Sequence, residues 1–377
     1  MTRLDTPGMT PQAPPRGTNR RKFILAGGAA AGLAAAAGVG GQYLQDKRFT
    51  SHAAAVKTAA PEVKIGGPGV KEQPLPKGAE ITDVPNLTTF YTPNSTFYRV
   101  DTSLTVPKVT TEAWELRIHG MVDNPISISF ADLIKRPMIE RDITITCVSE
   151  SIGGGLMGNA RWQGTLLAPL LREAGVHAGA TQIVMRDVQG MNLGVATEPV
   201  MDGRDSLLAI GMNGVPLPAE HGFPVRVIIP GIYGFVSACK WVVDMELTTF
   251  DAFDAYWVHR GWSKQAPIKT ESRIDTPRDA GNLTAGTVMI AGVAWAQHRG
   301  IEKVEVGVDG TWNEATLASQ DTIDAWRQYY YPWQATAGKH TIQVRATDKT
   351  GYTQTATKHH TSPNGATGYH TIQATVA

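Results

Sequence analysis

The alternation of apolar and polar side chains divides the chain into two stretches of different character. Residues 114–119 alternate every second position, as a half-buried strand does. Ser129 then caps a short helical pattern, with Asp132 three residues on and Pro137 ending it. Ile143, Ile145 and Cys147 share one face of the next strand, and Asp142, Thr144 and Thr146 share the other. Residues 165–174 have helical spacing and stop at Gly175. Residues 224–229 and 240–247 read as further strands. Strands and helices interleave without strict alternation, which predicts an α+β domain over residues 81–276.

Beyond residue 285 the pattern changes to short strands alone: 288–296, 304–308, 326–331, 340–346 and 370–376. Turns at Asp309-Gly310 and at Asp348–Gly351 separate them. This rhythm predicts an all-β, immunoglobulin-like sandwich over residues 285–377. Trp295, Trp312, Trp326 and Trp333 read as its core or an interface. Residues 56–80, rich in Ala, Pro, Gly and Lys, read as a linker.

At the amino terminus, Arg20 and Arg21 precede an Ala/Gly-rich apolar run from Leu25 to Gly41. Paired arginines before a weakly apolar stretch read as a twin-arginine export signal over residues 1–55, with Ala53–Ala55 as a cleavage site. Retention of residues 24–44 as a membrane tether stays open. The placement implied is the periplasm or the cell surface of a bacterium.

Composition narrows the partners. The 377 residues carry 35 basic and 34 acidic side chains, without a long run of one sign. That balance offers no electrostatic footprint for nucleic acid or an anionic membrane surface. Only two cysteines occur, Cys147 and Cys239. Covalent c-type haem and an iron–sulfur cluster each need more than they supply, so electrons must be exchanged with a separate partner. Cys147 sits where an apolar strand meets the glycine-rich turn Gly153–Gly155. Its sulfur is open to three roles: nucleophile, half of a disulfide with Cys239, or ligand to a soft metal. The disulfide reading describes a non-catalytic surface-binding protein.

Four clusters carry the remaining chemistry. Asn94 to Arg99 form a polar and aromatic turn that includes Tyr98. Cys147 is the soft ligand. His221 and Arg226 flank a turn entering a strand. Ser237 and Lys240 supply a hydroxyl and an amine before another strand. Arginine, lysine, histidine and oriented amides are what an organic phosphate requires.

In order and spacing this set resembles the sulfite oxidase family of molybdopterin enzymes, in its bacterial exported or membrane-associated branch, over about residues 85–377. The resemblance rests on residues 92–99, the Cys147 strand, Ala160–Trp162, Met212–Gly214 with Pro216–Pro218, His221–Arg226 and Lys240-Trp241. It implies that the Cys147 thiolate ligates molybdenum beside one pterin dithiolene. It also implies that Asn94, Tyr98, Arg99, His221, Arg226, Ser237 and Lys240 hold the molybdopterin, and that the sandwich makes a homodimer. Arg161 is a candidate to steer an anionic small-molecule substrate, or else a brace for the loop after Cys147.

Two positions depart from the family pattern. Glu150 stands just after the cysteine, where animal and plant sulfite oxidases carry arginines, and reads as a solvated loop carboxylate, or else as an acid or base near the metal. Ile210 stands where those enzymes place a catalytic tyrosine. The direction of oxygen transfer, sulfite oxidation or sulfoxide reduction, is therefore left open.

Overall fold

Strand Glu115–Gly120 turns Leu116 and Ile118 fully inward and leaves Glu115 and Arg117 outside, as its alternation requires. The computed structural model describes residues 74–103 and 105–377. Glu115–Gly120 belongs to a five-stranded sheet in the order Ile126–Ser129, Glu115–Gly120, Val242–Thr248, Gln182–Asp187, Asn192–Ala196. Its pairing with Val242–Thr248 is parallel; the other pairings are antiparallel. The helix Leu167–Ala174 shares the core of this sheet through Leu167, Leu170, Leu171 and Ala174. Each buried leucine contributes about 2 kcal/mol. Gly175, at φ 69°, ends the helix in the left-handed conformation, and its N–H bonds back to the last turn.

A second sheet orders Ile139–Thr146, Met157–Leu166, Leu207–Met212 and Val215–Pro216, with Arg226–Ile228 also on Leu207–Met212. Its first strand delivers Cys147 to the end of the sheet. The hairpin partner Met157–Leu166 returns after the glycine-rich loop.

The C-terminal part is two β-sheets around one core. One orders Glu271–Thr276, Gly286–Trp295, Arg327–Ala335 and Thr316–Leu317. The other orders Gly281–Leu283, His370–Val376, Gly338–Asp348, Ile301–Val308 and Thr311–Glu314. Ile290, Ala294 and Tyr329 from the first meet Val304, Ile342, Val344 and Ile372 from the second. Asp309 and Gly310, at φ 50° and 86°, make the tight hairpin expected of that pair.

Three expectations are corrected. The regular elements among the described residues are mostly strands, with less helix than the α+β reading expected: Leu167–Ala174 is the one α-helix among them longer than four residues. The Ser129 cap and its short helix form as expected, Ser129 Oγ accepting the Asp132 N–H at 3.2 Å ahead of Phe130–Leu133. Strand Glu271–Thr276, read with the first domain, pairs with Gly286–Trp295 and so lies in the C-terminal sheet. A turn-rich sequence marked the boundary, whereas hydrogen-bond pairing decides it. The end of the presumed linker is packed: Ala79 is buried and the Ile81 N–H donates to Gln328 Oε1 at 2.6 Å. The export signal, the tether and the linker up to residue 73 lie outside the described residues. Among the described residues no helix is long and apolar enough to cross a membrane.

Trp295 and Trp326 pack with Phe90, Val148, Met157 and Tyr233 in one cluster, so they join the sandwich to the sheet that carries Cys147. Trp333 lies in the sandwich core.

Candidate cofactor-binding site

Cys147, at the end of its strand, is 6% exposed and unpaired. Its N–H donates to Leu156 O at 2.9 Å, and the Ser149 N–H approaches its Sγ at 3.4 Å. Burial pushes the free thiol's pKa up, so a partner of positive charge is needed to favour the thiolate. Cys239 is also buried and free. The Cys147–Cys239 disulfide is therefore absent, and the surface-protein reading built on it falls. Cys239 sits in the apolar core of the first sheet.

Cys147 opens into a cleft of about 160 Å³ that is also lined by Tyr98, His221, Arg226 and Lys240. Arg226 is 4% exposed. It donates through Nη1 to His221 O at 3.1 Å and lies over the Trp162 ring at 5.1 Å. Its Nε has no hydrogen-bond partner among the described residues. Burial lowers its pKa to about 10. Arg226 lines the cleft, and a buried guanidinium short of a hydrogen-bond partner favours an anion close by.

His221 is held neutral: burial, then Arg226, lower its pKa to about 3. Its Nε2 lies 3.1 Å from Asn94 O. A carbonyl only accepts, so Nε2 carries the proton and Nδ1 is left as an acceptor. Lys240 Nζ donates to Asp101 Oδ2 at 2.6 Å and to Glu220 O at 3.2 Å, and burial brings its pKa down to about 8. Trp241, next in the chain, adopts φ 51°, an uncommon backbone for a bulky residue and one that recurs at functional sites. Burial and the nearby Cys147 keep the Tyr98 phenol protonated, hence a donor.

The other sequence candidates lie outside the cleft lining. Asn94 is a joint between loops: its Nδ2 donates to Met212 O at 3.1 Å and its Oδ1 accepts from Asn213 Nδ2 at 2.8 Å. Ser237 donates to Ile232 O at 2.8 Å, and so serves its own turn. Arg99 grips Asp101. Arg161 forms a two-point ion pair with Asp142, at 2.9 and 2.8 Å, across the register that places the two residues opposite each other. The ion pair ties strand to strand and does not reach the loop after Cys147, and Arg161 is not part of the cleft lining. Ile210 is packed in the core.

Glu150 corrects a further expectation. It is 2% exposed, accepts the Leu156 N–H through Oε2, and leaves Oε1 without a partner among the described residues. Burial raises its pKa to about 7. The cleft also contains groups that no motif signalled, namely Asp101, Asp187, Phe235, Trp257 and Trp262. The aromatic richness of residues 250–262 was the only available signal.

A family model described as an oxidoreductase molybdopterin binding domain matches residues 103–257. The mitochondrial sulfite oxidase of Rattus norvegicus is 28% identical over 277 residues, 62% of this chain and 50% of the relative. The uncharacterized oxidoreductase YuiH of Bacillus subtilis (strain 168) is 32% identical over 149 residues, 40% of this chain and 72% of the relative. The crystal structure of the sulfane dehydrogenase SoxCD from Paracoccus pantotrophus superposes with a TM-score of 0.64 at 22% identity, over 85% of this chain and 93% of that one, a likeness of fold. The chain belongs to the molybdopterin-binding oxidoreductases of the sulfite oxidase family. Its cofactor is molybdopterin carrying molybdenum. The chain spans about half the length of the sulfite oxidases it matches.

Proposed function

We propose that the chain is an exported molybdenum–pterin oxidoreductase that moves an oxygen atom to or from a small sulfur compound, with the Cys147 thiolate as the protein's ligand to molybdenum. The observation that carries this reading is the shared cleft: a free, buried cysteine beside a buried arginine with an unused donor. These residues fit the group. Arg226 and Lys240 offer positive charge to a phosphate, and His221 Nδ1 and the Tyr98 hydroxyl offer an acceptor and a donor. When bound, the cofactor supplies two-electron oxygen-atom transfer. The chain's own residues hold the sulfur ligand, orient the anion and exclude water with Phe235, Trp257 and Trp262.

In the oxidative direction the substrate sulfur gains oxygen from water, and two protons and two electrons leave; in the reductive direction the same balance runs backward. An external redox protein takes or gives the electrons. Arg20 and Arg21 support export, with residues 24–44 as the tether if the signal is retained. The sandwich is read as immunoglobulin-like and as the contact of a homodimer.

Elemental analysis tests the core of the reading. About one molybdenum per wild-type chain, lost in Cys147→Ser, supports it; metal retained in the variant overturns the ligand assignment. Assays with sulfite plus an electron acceptor, and with a sulfoxide plus a donor, assign the direction. Gel filtration with light scattering tests the dimer, and fractionation of an expressing bacterium tests export.

A further inference from the structure

We infer that the C-terminal sandwich is part of the metal-site scaffold: Arg273, on its strand Glu271–Thr276, is a positioning residue that fixes the loop of residues 148–156 and through it the Cys147 sulfur. The inference rests on the reading of Cys147 as the metal ligand.

The loop is bonded to itself at its base and within its tip, where the Gly154 N–H donates to Ser151 O at 2.8 Å. The Cys147 N–H donates to Leu156 O at 2.9 Å, the Glu150 N–H to Cys147 O at 3.0 Å, and the Leu156 N–H to Glu150 Oε2. These bonds are all internal to the loop, leaving the whole of it to be docked by something else. Arg273 holds it. Its Nη1 donates to Gly154 O at 2.8 Å, its Nε to Asp275 Oδ1 at 2.7 Å, and its Nη2 to Thr88 Oγ1 at 3.1 Å. Asp275 in turn accepts the Thr88 N–H at 3.2 Å. One guanidinium thus joins the Cys147 loop to the segment that runs on to Tyr98, and both reach the cleft.

The sandwich also limits the loop sterically. His370, on the strand His370–Val376, accepts the Ile274 N–H at 2.9 Å. A Cβ added at Gly153, where φ is 79°, would fall into the His370 ring, and one at Gly154 would lie 2.6 Å from Glu150 Oε1. Gly153 therefore lets the sandwich press directly on the loop, while Gly154 leaves room for the loop's own Glu150. A planar guanidinium meets three acceptors in fixed directions, which a flexible ammonium does not do.

The test uses the full-length, molybdenum-loaded chain and its Arg273→Met and Arg273→Lys variants. Hydrogen–deuterium exchange over residues 148–156, the Mo(V) electron paramagnetic resonance signal and molybdenum per chain are measured. Arg345→Met, which breaks an ion pair with Glu305 elsewhere in the sandwich, is the control for general destabilisation. Arg273→Met is expected to speed exchange at Glu150 and Leu156 about tenfold and to shift the Mo(V) signal, Arg273→Lys to lie between it and wild type, and Arg345→Met to leave both unchanged. Loop exchange and signal at wild-type values in Arg273→Met, or equal changes in Arg345→Met, overturn the inference. If Arg273→Met does not accumulate, Arg273→Lys decides on the same readouts. Absence of molybdenum from wild type defeats the metal reading alone, since loop exchange still decides the clamp.

Discussion

Two buried carboxylates, Asp348 in the sandwich and Glu150 beside the cleft, differ in how fully their oxygens are bonded. Asp348 is 1% exposed and accepts from Thr270 Oγ1 at 2.6 Å, Thr350 Oγ1 at 2.6 Å and Arg299 Nε at 2.9 Å. Burial pushes its pKa up, but these donors outweigh it and hold it at about 2. Glu150 is as deeply buried, has one backbone donor at its carboxylate, and is raised to about 7. Arg226 shows the same shortage in a cation. A buried polar group that is fully bonded holds a fold together, whereas one left short is costly unless a ligand completes it. The difference belongs to the individual groups, since Glu271 in the sandwich is also buried with a carboxylate oxygen left without a partner among the described residues.

The largest test of that contrast is Cys147→Ser, expected to lower molybdenum per chain by about 100-fold or more while the unfolding midpoint of the metal-free protein stays near wild type. Arg226→Met follows. Cofactor retention should fall about 10–100-fold, yet removing a buried, incompletely bonded charge should leave the metal-free protein within about 1 kcal/mol of wild type or more stable. Denaturant unfolding of the metal-free chain checks the second half; a loss of several kcal/mol would show that Arg226 is structural. Asp348→Ala should behave in the opposite way. Stability should drop by about 2–4 kcal/mol, with molybdenum per folded chain unchanged.

The smallest effect concerns pH. Burial, then Glu150, raise the Glu271 carboxyl to about 8. A carboxyl raised in the folded state contributes stability that is full below its ordinary value near 4.5 and lost as pH rises through 8. Unfolding curves of the metal-free protein should therefore weaken between pH 5 and pH 8, and Glu271→Gln should flatten that slope. Asp348 has the reverse sign, because its stabilisation is lost only as pH falls through about 2. Both carboxylates lie in the sandwich, so an unchanged slope in Glu271→Gln would mean that Glu271 does not carry this pH dependence.

Much of the sandwich could be read in the chain, because period-two alternation and hairpin turns are local properties. Strand His370–Val376 falls on residues 370–376, as predicted, and the Asp309-Gly310 turn forms where it was expected. The placing of Cys147 at a strand end was legible for the same reason, and the family motifs pointed to its chemistry. The site was legible only in part. Arg161 and Arg226 look alike as residues, but the register of two antiparallel strands sets Asp142 against Arg161, while the fold buries Arg226 with a donor to spare.

The sequence alone determined the strand pattern, the two cysteines without a haem or cluster motif, and the family resemblance, since each depends on neighbours in the chain. Only the tertiary structure decided that the cysteines stay unpaired, that Glu150 is buried, that Asn94 and Ser237 serve loops rather than the cleft, and that Arg273 reaches across from the sandwich to Gly154. Those outcomes depend on hydrogen-bond partners more than a hundred residues away, as between Arg273 and Gly154, or on burial that several elements create together, and local pattern carries neither.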